Sequence, residues 1–423
     1  MSESGESSIE LQLADRRYEV IEQLTRKSVK RKKTSISWSD RLDHVFLNKW
    51  LGIPLFLVIM FAMFQFTFEV ATPLMDLVDW GFSLLGNWVL LVSENLYSAS
   101  PPIHVAIWQS FLVDGLIGGM GSVIIFVPNI FLLFLVIAFL EDTGYLARAA
   151  FVMDRALYRI GLHGRSFIPM ILGFGCNVPA IMACRSIEDE QDRNLTIMIN
   201  PLMSCGARFP VYVLFAGTFF TAIGGSVIWS MYIIGILLAV VMALFFRRTI
   251  FKGKPAPFIL ELPMYRRPTL HGTFRHMWER GVHFLKKAGG IIFVIVVVVW
   301  VMANFPWGAP IELTLVGILG HALSPFFAPL GFGWQAVIGI IFGFLAKEVV
   351  IGTFGVIFSV SEEAVGPALM GIFTPITAFA YLVFILIYVP CIAAIGTAYQ
   401  EFNSLKYTLI MVVYTIVLAY LMA

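Results

Sequence analysis

The chain has 423 residues, 59% of them hydrophobic and 13% charged. Soluble domains run about 45–50% apolar and about 25% charged. Here the excess falls in runs near the ~20 residues that cross a bilayer, which excludes a soluble multidomain enzyme and a disordered chain. Four cysteines are too few for a secreted disulfide scaffold. The net charge of +2 is uninformative, but its placement is not.

Residues 1–49 hold ten of the 29 Lys and Arg. They precede any apolar run, so no cleavable signal peptide is expected. Residues 8–30 read as a polar helix, and the run Arg26, Lys27, Lys30, Arg31, Lys32 and Lys33 as a topogenic flank able to touch anionic lipid. Apolar runs follow at about 51–68, 121–140, 205–222, 226–246, 289–303, 373–393 and 405–422. Residues 72–118 carry acidic residues and tryptophans without Lys or Arg, and residues 305–332 are similar; both read as external and interfacial. A second group of ten Lys and Arg lies in 247–287, read as a basic cytoplasmic loop.

Two stretches, 166–184 and 334–358, are apolar but interrupted. The first contains Pro169, Gly173, Gly175, Asn177 and Pro179; the second contains Gly339, Gly343, Lys347, Glu348, Gly352 and Gly355. A full crossing at 166–184 would put the basic 247–287 stretch outside. A broken or re-entrant segment removes the conflict. Irregular backbone at membrane depth is tolerated only inside protein or along a watery cavity, so these stretches mark a site. They also form a weak repeat. Residues 173–178 align with 343–348, and Met203-Ser204-Cys205 aligns with Val389-Pro390-Cys391. Paired broken segments of opposite orientation point to a transporter-type site at the midplane.

Ionisable residues inside a membrane are functional by default, and Lys347–Glu348 is the clearest case. A mutually neutralising structural pair is the plainer alternative. Successive helical residues diverge, however, so the two need separate partners. Cys176, Cys205 and Cys391 sit at backbone breaks, which favours metal or redox contact over packing as small hydrophobes. Cys184, beside Arg185, keeps the packing role. The acidic clusters Glu141–Asp142 and Glu188–Glu190 with Asp192 could receive a cation, but such clusters more often read as solvated faces. His271, His276 and His283, in the basic stretch, likewise read as solvated. No phosphate-binding loop, HExxH or GxSxG is present.

Several stretches resemble the membrane domain of the FeoB ferrous iron transporters. They are LEDTGYLARAAFVMDR (140–155), SFIPMILGFGCNVPAIMACRSIEDEQDR (166–193), NPLMSCGARFPVYVLFAGTFF (200–220), WERGVHFLKKAGGIIF (278–293), GFLAKEVVIGTFG (343–355) and YVPCIAAI (388–395). The lead-in over 14–54 is similar to that family's linker. The resemblance implies two gate motifs, which are the broken segments. Typical members carry a GTPase domain and a helical regulatory domain before the linker. The chain starts near where those end, which implies a membrane subunit of a split FeoB. Cys184 stands where the family has a small hydroxyl residue.

The expectation is an all-α polytopic membrane protein with seven or eight transmembrane helices. It comprises a cytoplasmic basic segment 1–49 and a transmembrane domain 50–423, with gate segments about 166–222 and 334–400. The expected activity is Fe²⁺ transport across a prokaryotic cell membrane, with a cytoplasmic N-terminus. Cys176, Cys205, Cys391, Glu348 and Asn177 are the candidate metal-contacting residues. No permanently bound cofactor is expected, and GTP would act only through a separate G protein. Small Feo accessory proteins and a homo-oligomer are further possible partners, and nucleic acid is not. The alternatives are another divalent metal such as Mn²⁺ or Zn²⁺, a nucleoside, or a non-transporting receptor for a cytoplasmic GTPase.

Overall fold

A computed structural model of the chain describes residues 38–48, 51–97, 103–118, 127–252, 265–358 and 364–423, with isolated positions among 16–25, at 121, 124–125 and at 360. The basic run 26–33 and most of the expected helix 8–30 lie outside the described residues. The described chain is helical, with no strand.

The linker enters through α1 (Trp38–Phe46). Next comes α2 (Gly52–Tyr97), one continuous helix that includes Pro73. At 1.5 Å per residue its 46 residues reach about 69 Å, more than twice the ~30 Å hydrocarbon core. Residues 72–97, expected as a separate interfacial stretch, are therefore the second half of the first spanning helix. A lone Pro is tolerated there because neighbouring groups can satisfy the freed carbonyl. Then follow α3 (Ile103–Ser110), running into a π-helical turn over Phe111–Gly118, and α4 (Val127–Asp142), α5 (Tyr145–Arg159), α6 (Phe167–Gly175), α7 (Asn177–Ala183), α8 (Glu190–Ile199), α9 (Phe209–Phe219) and α10 (Gly224–Thr249).

The basic stretch 247–287 is not one loop. From Leu270 it forms the first half of α11 (Leu270–Asn304). Between Leu270 and Lys287 there is no Pro, and Arg, Lys and Glu are good helix formers. Arg275 and Glu279 pair one turn apart at 2.8 Å. The second half of the chain contains α12 (Leu315–Phe327), α13 (Trp334–Leu345), α14 (Val349–Phe358), α15 (Val365–Leu369), α16 (Pro375–Ile387), α17 (Ile392–Phe402) and α18 (Leu405–Met422).

Among the described residues, five helical spans are long and apolar enough to cross a membrane. The total becomes seven when two bent pairs each count as one span: α4 with α5, bent by 79°, and α12 with α13, bent by 104°. The two halves meet in an aromatic cluster. Phe215 of α9 stacks on Tyr381 of α16 at 5.1 Å and meets Phe373 edge-on at 5.3 Å. Such ring pairs are worth about 0.5–1.5 kcal/mol beyond their buried area. That matters in lipid, where packing rather than the hydrophobic effect joins helices. Several helical hydroxyls find their partners within their own helices. Thr353, Thr397 and Thr415 each donate to the carbonyl one turn back.

Candidate transport site

Both interrupted stretches are broken helices. α6 ends and α7 begins across one extended residue, Cys176, at φ −154°, ψ 129°. α13 ends at Ala346, at φ −149°, ψ 126°. Cys176 and Ala346 are the aligned positions of the repeat, so the two halves break at the same place in the same conformation. The second aligned pair behaves alike. Cys205 has φ −74°, ψ 159° and Cys391 has φ −57°, ψ 155°, each just before the next helical turn. Packing follows the same symmetry. α7 lies on α17, and α14, the counterpart of α7, lies on α9, the counterpart of α17.

Small residues let these elements approach. A Cβ on Gly173 would fall on Asn200 Oδ1 and Met203, and one on Gly343 would fall on the Tyr388 hydroxyl and 2.6 Å from Val350 Cγ2. Asn200, fully buried, donates to Pro169 O at 3.4 Å across this contact. Ser204 and Tyr212 share a hydrogen bond of 2.9 Å behind Cys205.

The sequence-derived site residues are placed as follows. The Cys176 thiol lies within electrostatic reach of Cys391, Cys205 and Glu348. Cys391 lies within reach of Cys205, Glu348 and Lys347. Cys176 and Cys391 are partly accessible, and Cys205 is buried. Asn177 begins α7 beside Cys176, and its buried Oδ1 has no hydrogen-bond partner. Among the described residues, no three His, Cys, Asp or Glu side chains already form a group able to hold a metal. Cys184 is fully buried elsewhere and donates to Ala180 O at 3.5 Å.

Lys347 and Glu348 do not neutralise each other as an ion pair. Lys347 Nζ donates to Val389 O at 2.7 Å and sits 3.1 Å from the centre of the Tyr388 ring. Arg208, fully buried, was not singled out from sequence. Its Nη1 donates to Met203 O at 3.0 Å, and both Nη atoms donate to Pro201 O at 3.2 Å. The signal was present in Arg208 itself, the cation that closes an unwound stretch immediately before a charge-free span. Arg185, next to Cys184, binds Glu401 of α17 through three contacts of 2.5–2.9 Å. That pair joins the far ends of α7 and α17, the helices whose near ends carry Cys176 and Cys391.

The acidic clusters have structural partners. Glu188 meets Arg165 at 2.7 Å, Asp189 caps α8, Asp192 meets Arg247 at 2.9 Å, and Glu141 meets Arg280 at 2.8 Å.

A family model described as Gate, "Nucleoside recognition", matches residues 123–219 and 285–405, and one described as "Ferrous iron transport protein B C terminus" matches residues 228–280. A relative from Methanocaldococcus jannaschii named "Fe(2+) transporter FeoB" is 40% identical over 425 residues, covering 98% of this chain and 62% of that protein. A Porphyromonas gingivalis relative named "Fe(2+) transport protein A/Fe(2+) transporter FeoB fusion protein" is 37% identical over 97% of this chain and 54% of its own. A Campylobacter jejuni "Fe(2+) transporter FeoB" is 39% identical over 95% of this chain and 67% of its own. The chain therefore spans about half to two-thirds of these relatives' length. No solved structure matches it. A match of this identity along nearly the whole chain, together with both family models, means that the chain is a multi-pass membrane protein belonging to the FeoB family.

Proposed function

We propose that this chain moves Fe²⁺ across a prokaryotic cell membrane, through the centre where the two broken segments meet. The observation that carries the reading is the matched pair of breaks, Cys176 with Ala346 and Cys205 with Cys391 in the same backbone conformations, which puts three of the four cysteines at break points. Fe²⁺ is a borderline ion that thiolate and carboxylate both bind, and an open arrangement suits an ion that must leave again. Asn177 Oδ1, without a partner, is the remaining donor beside Cys176. Thiolate rather than thiol is the ligand, so binding is expected to release protons and weaken as pH falls.

The test is anaerobic ⁵⁵Fe²⁺ uptake into vesicles, with Mn²⁺, Zn²⁺ and adenosine as competitors. Competition by Mn²⁺ or Zn²⁺ alone would broaden the metal specificity. Nucleoside uptake without Fe²⁺ uptake would refute the proposal.

The charge pattern supports a cytoplasmic face formed by 1–49 and the first half of α11. A separate G protein docking there would supply the nucleotide chemistry for which this chain carries no motif. Exposed charge attraction is screened over about 8–10 Å, so pull-down should weaken with salt. Full-rate transport without any nucleotide-binding protein would remove the need for that partner.

A further inference from the structure

Broken helices leave carbonyl oxygens without intrahelical partners, and in transporters such oxygens coordinate hard cations. In this chain two buried oxygens close to the cysteines, Met203 O and Val389 O, already accept hydrogen bonds from buried cations. Met203 O and Val389 O are equivalent positions of the repeat, each two residues before a cysteine. Arg208 fills the first together with Pro201 O, and Lys347 fills the second. The two plugs differ in origin. Arg208 reaches back from the turn after Cys205, while Lys347 comes from the other broken segment, 42 residues away in sequence. The same outcome reached by different residues in two halves is not a by-product of one local turn.

Lys347 is also seated. The Tyr388 ring lies under its Nζ, which fixes the amine on Val389 O. Both side chains are buried, Arg208 at 0% and Lys347 at 2% exposure. Oxygen ligands favour Ca²⁺, Mg²⁺ and Mn²⁺, whereas thiols favour softer ions.

We propose that Lys347 and Arg208 determine specificity: they occupy Met203 O and Val389 O, oxygens that the breaks would otherwise offer to a hard cation, and so tilt the site toward its thiols and carboxylate. This rests on the metal-transport reading above and adds the basis of its selectivity. Both residues act on the ion through the oxygens they cover.

The purified full chain, in detergent and without oxygen, is titrated with Co²⁺, whose thiolate charge-transfer absorption reports cysteine ligation. Titrations are run with and without millimolar Ca²⁺. The wild type is expected to hold the same apparent Co²⁺ affinity in both. Lys347→Met frees Val389 O and is expected to lose about ten-fold in apparent Co²⁺ affinity when Ca²⁺ is added. Lys347→Arg keeps a donor and is expected to regain the exclusion, which repair of mere packing by a bulkier side chain would not achieve. Should Lys347→Met not fold, Tyr388→Leu keeps the amine without its seat and is expected to show a smaller loss of the same sign. A folded variant of either kind that binds Co²⁺ equally well in Ca²⁺ overturns the proposal. A wild type with no charge-transfer band overturns the metal-site reading, and this proposal with it.

Discussion

Arg148 joins three stretches of chain far apart in sequence. Its guanidinium meets Asp43 of α1 at 2.5 Å, donates to Gly144 O at 2.8 Å, and lies 3.6 Å from the Tyr265 ring. Phe46 packs on Tyr145 and Tyr265 around the same point. The linker helix is thereby fastened to α5, which packs on the first half of the broken segment. Removing one partner of a buried pair strands the other and costs about 3–5 kcal/mol. Asp43→Asn, with the Asp43 side chain about one-fifth exposed, belongs at or below the low end of that range. A lowered melting midpoint in detergent, with faster tryptic cleavage near α1, is the expected result. An unchanged midpoint would mean that α1 is not held through Arg148.

At the scale of elements, the break points were legible because their causes are local. Gly173, Gly175 and Pro179 around Cys176, and Pro390 before Cys391, interrupt apolar runs on their own account. What plugs the breaks was not legible, because Lys347 and Val389 meet only once α13 and α16 have packed. The start of α11 was also hidden. Its charged half looked like a loop because it is polar, although its residues are good helix formers. The glycines give a sharp test of the packing. Gly343→Ala would drive its Cβ into Tyr388 and Val350, an overpacking expected to cost about 1–3 kcal/mol. Gly352→Ala meets nothing within 4 Å and is expected to be neutral or slightly stabilising. Equal melting midpoints for the two variants would contradict the close approach of α13 to α16.

At the scale of the whole molecule, the contacts at the two ends of α18 bear on which side of the membrane it ends. Glu401, four residues before α18, is tied to Arg185, on the side that the charge pattern reads as cytoplasmic. At the other end of α18, the Tyr420 hydroxyl donates to Phe326 O at 3.0 Å, in the stretch read as external. An 18-residue helix covers about 27 Å, one hydrocarbon thickness. A cysteine at Met422, in a background without other cysteines, is therefore expected to react with an impermeant maleimide from outside. Single cysteines placed in 270–287 are expected to react only from within. External labelling anywhere in 270–287 would invert the proposed orientation.

The proposal that thiols from both halves line the ion's path is most directly tested by anaerobic ⁵⁵Fe²⁺ uptake in vesicles, comparing Cys176→Ser and Cys391→Ser with Cys184→Ser. Serine keeps the size but is a poor ligand for a soft ion. Both gate variants should lose most of their uptake at unchanged expression and melting midpoint. Cys184→Ser, whose sulfur is buried on Ala180 O away from the centre, should transport like the wild type. Wild-type uptake by both gate variants would contradict thiolate coordination.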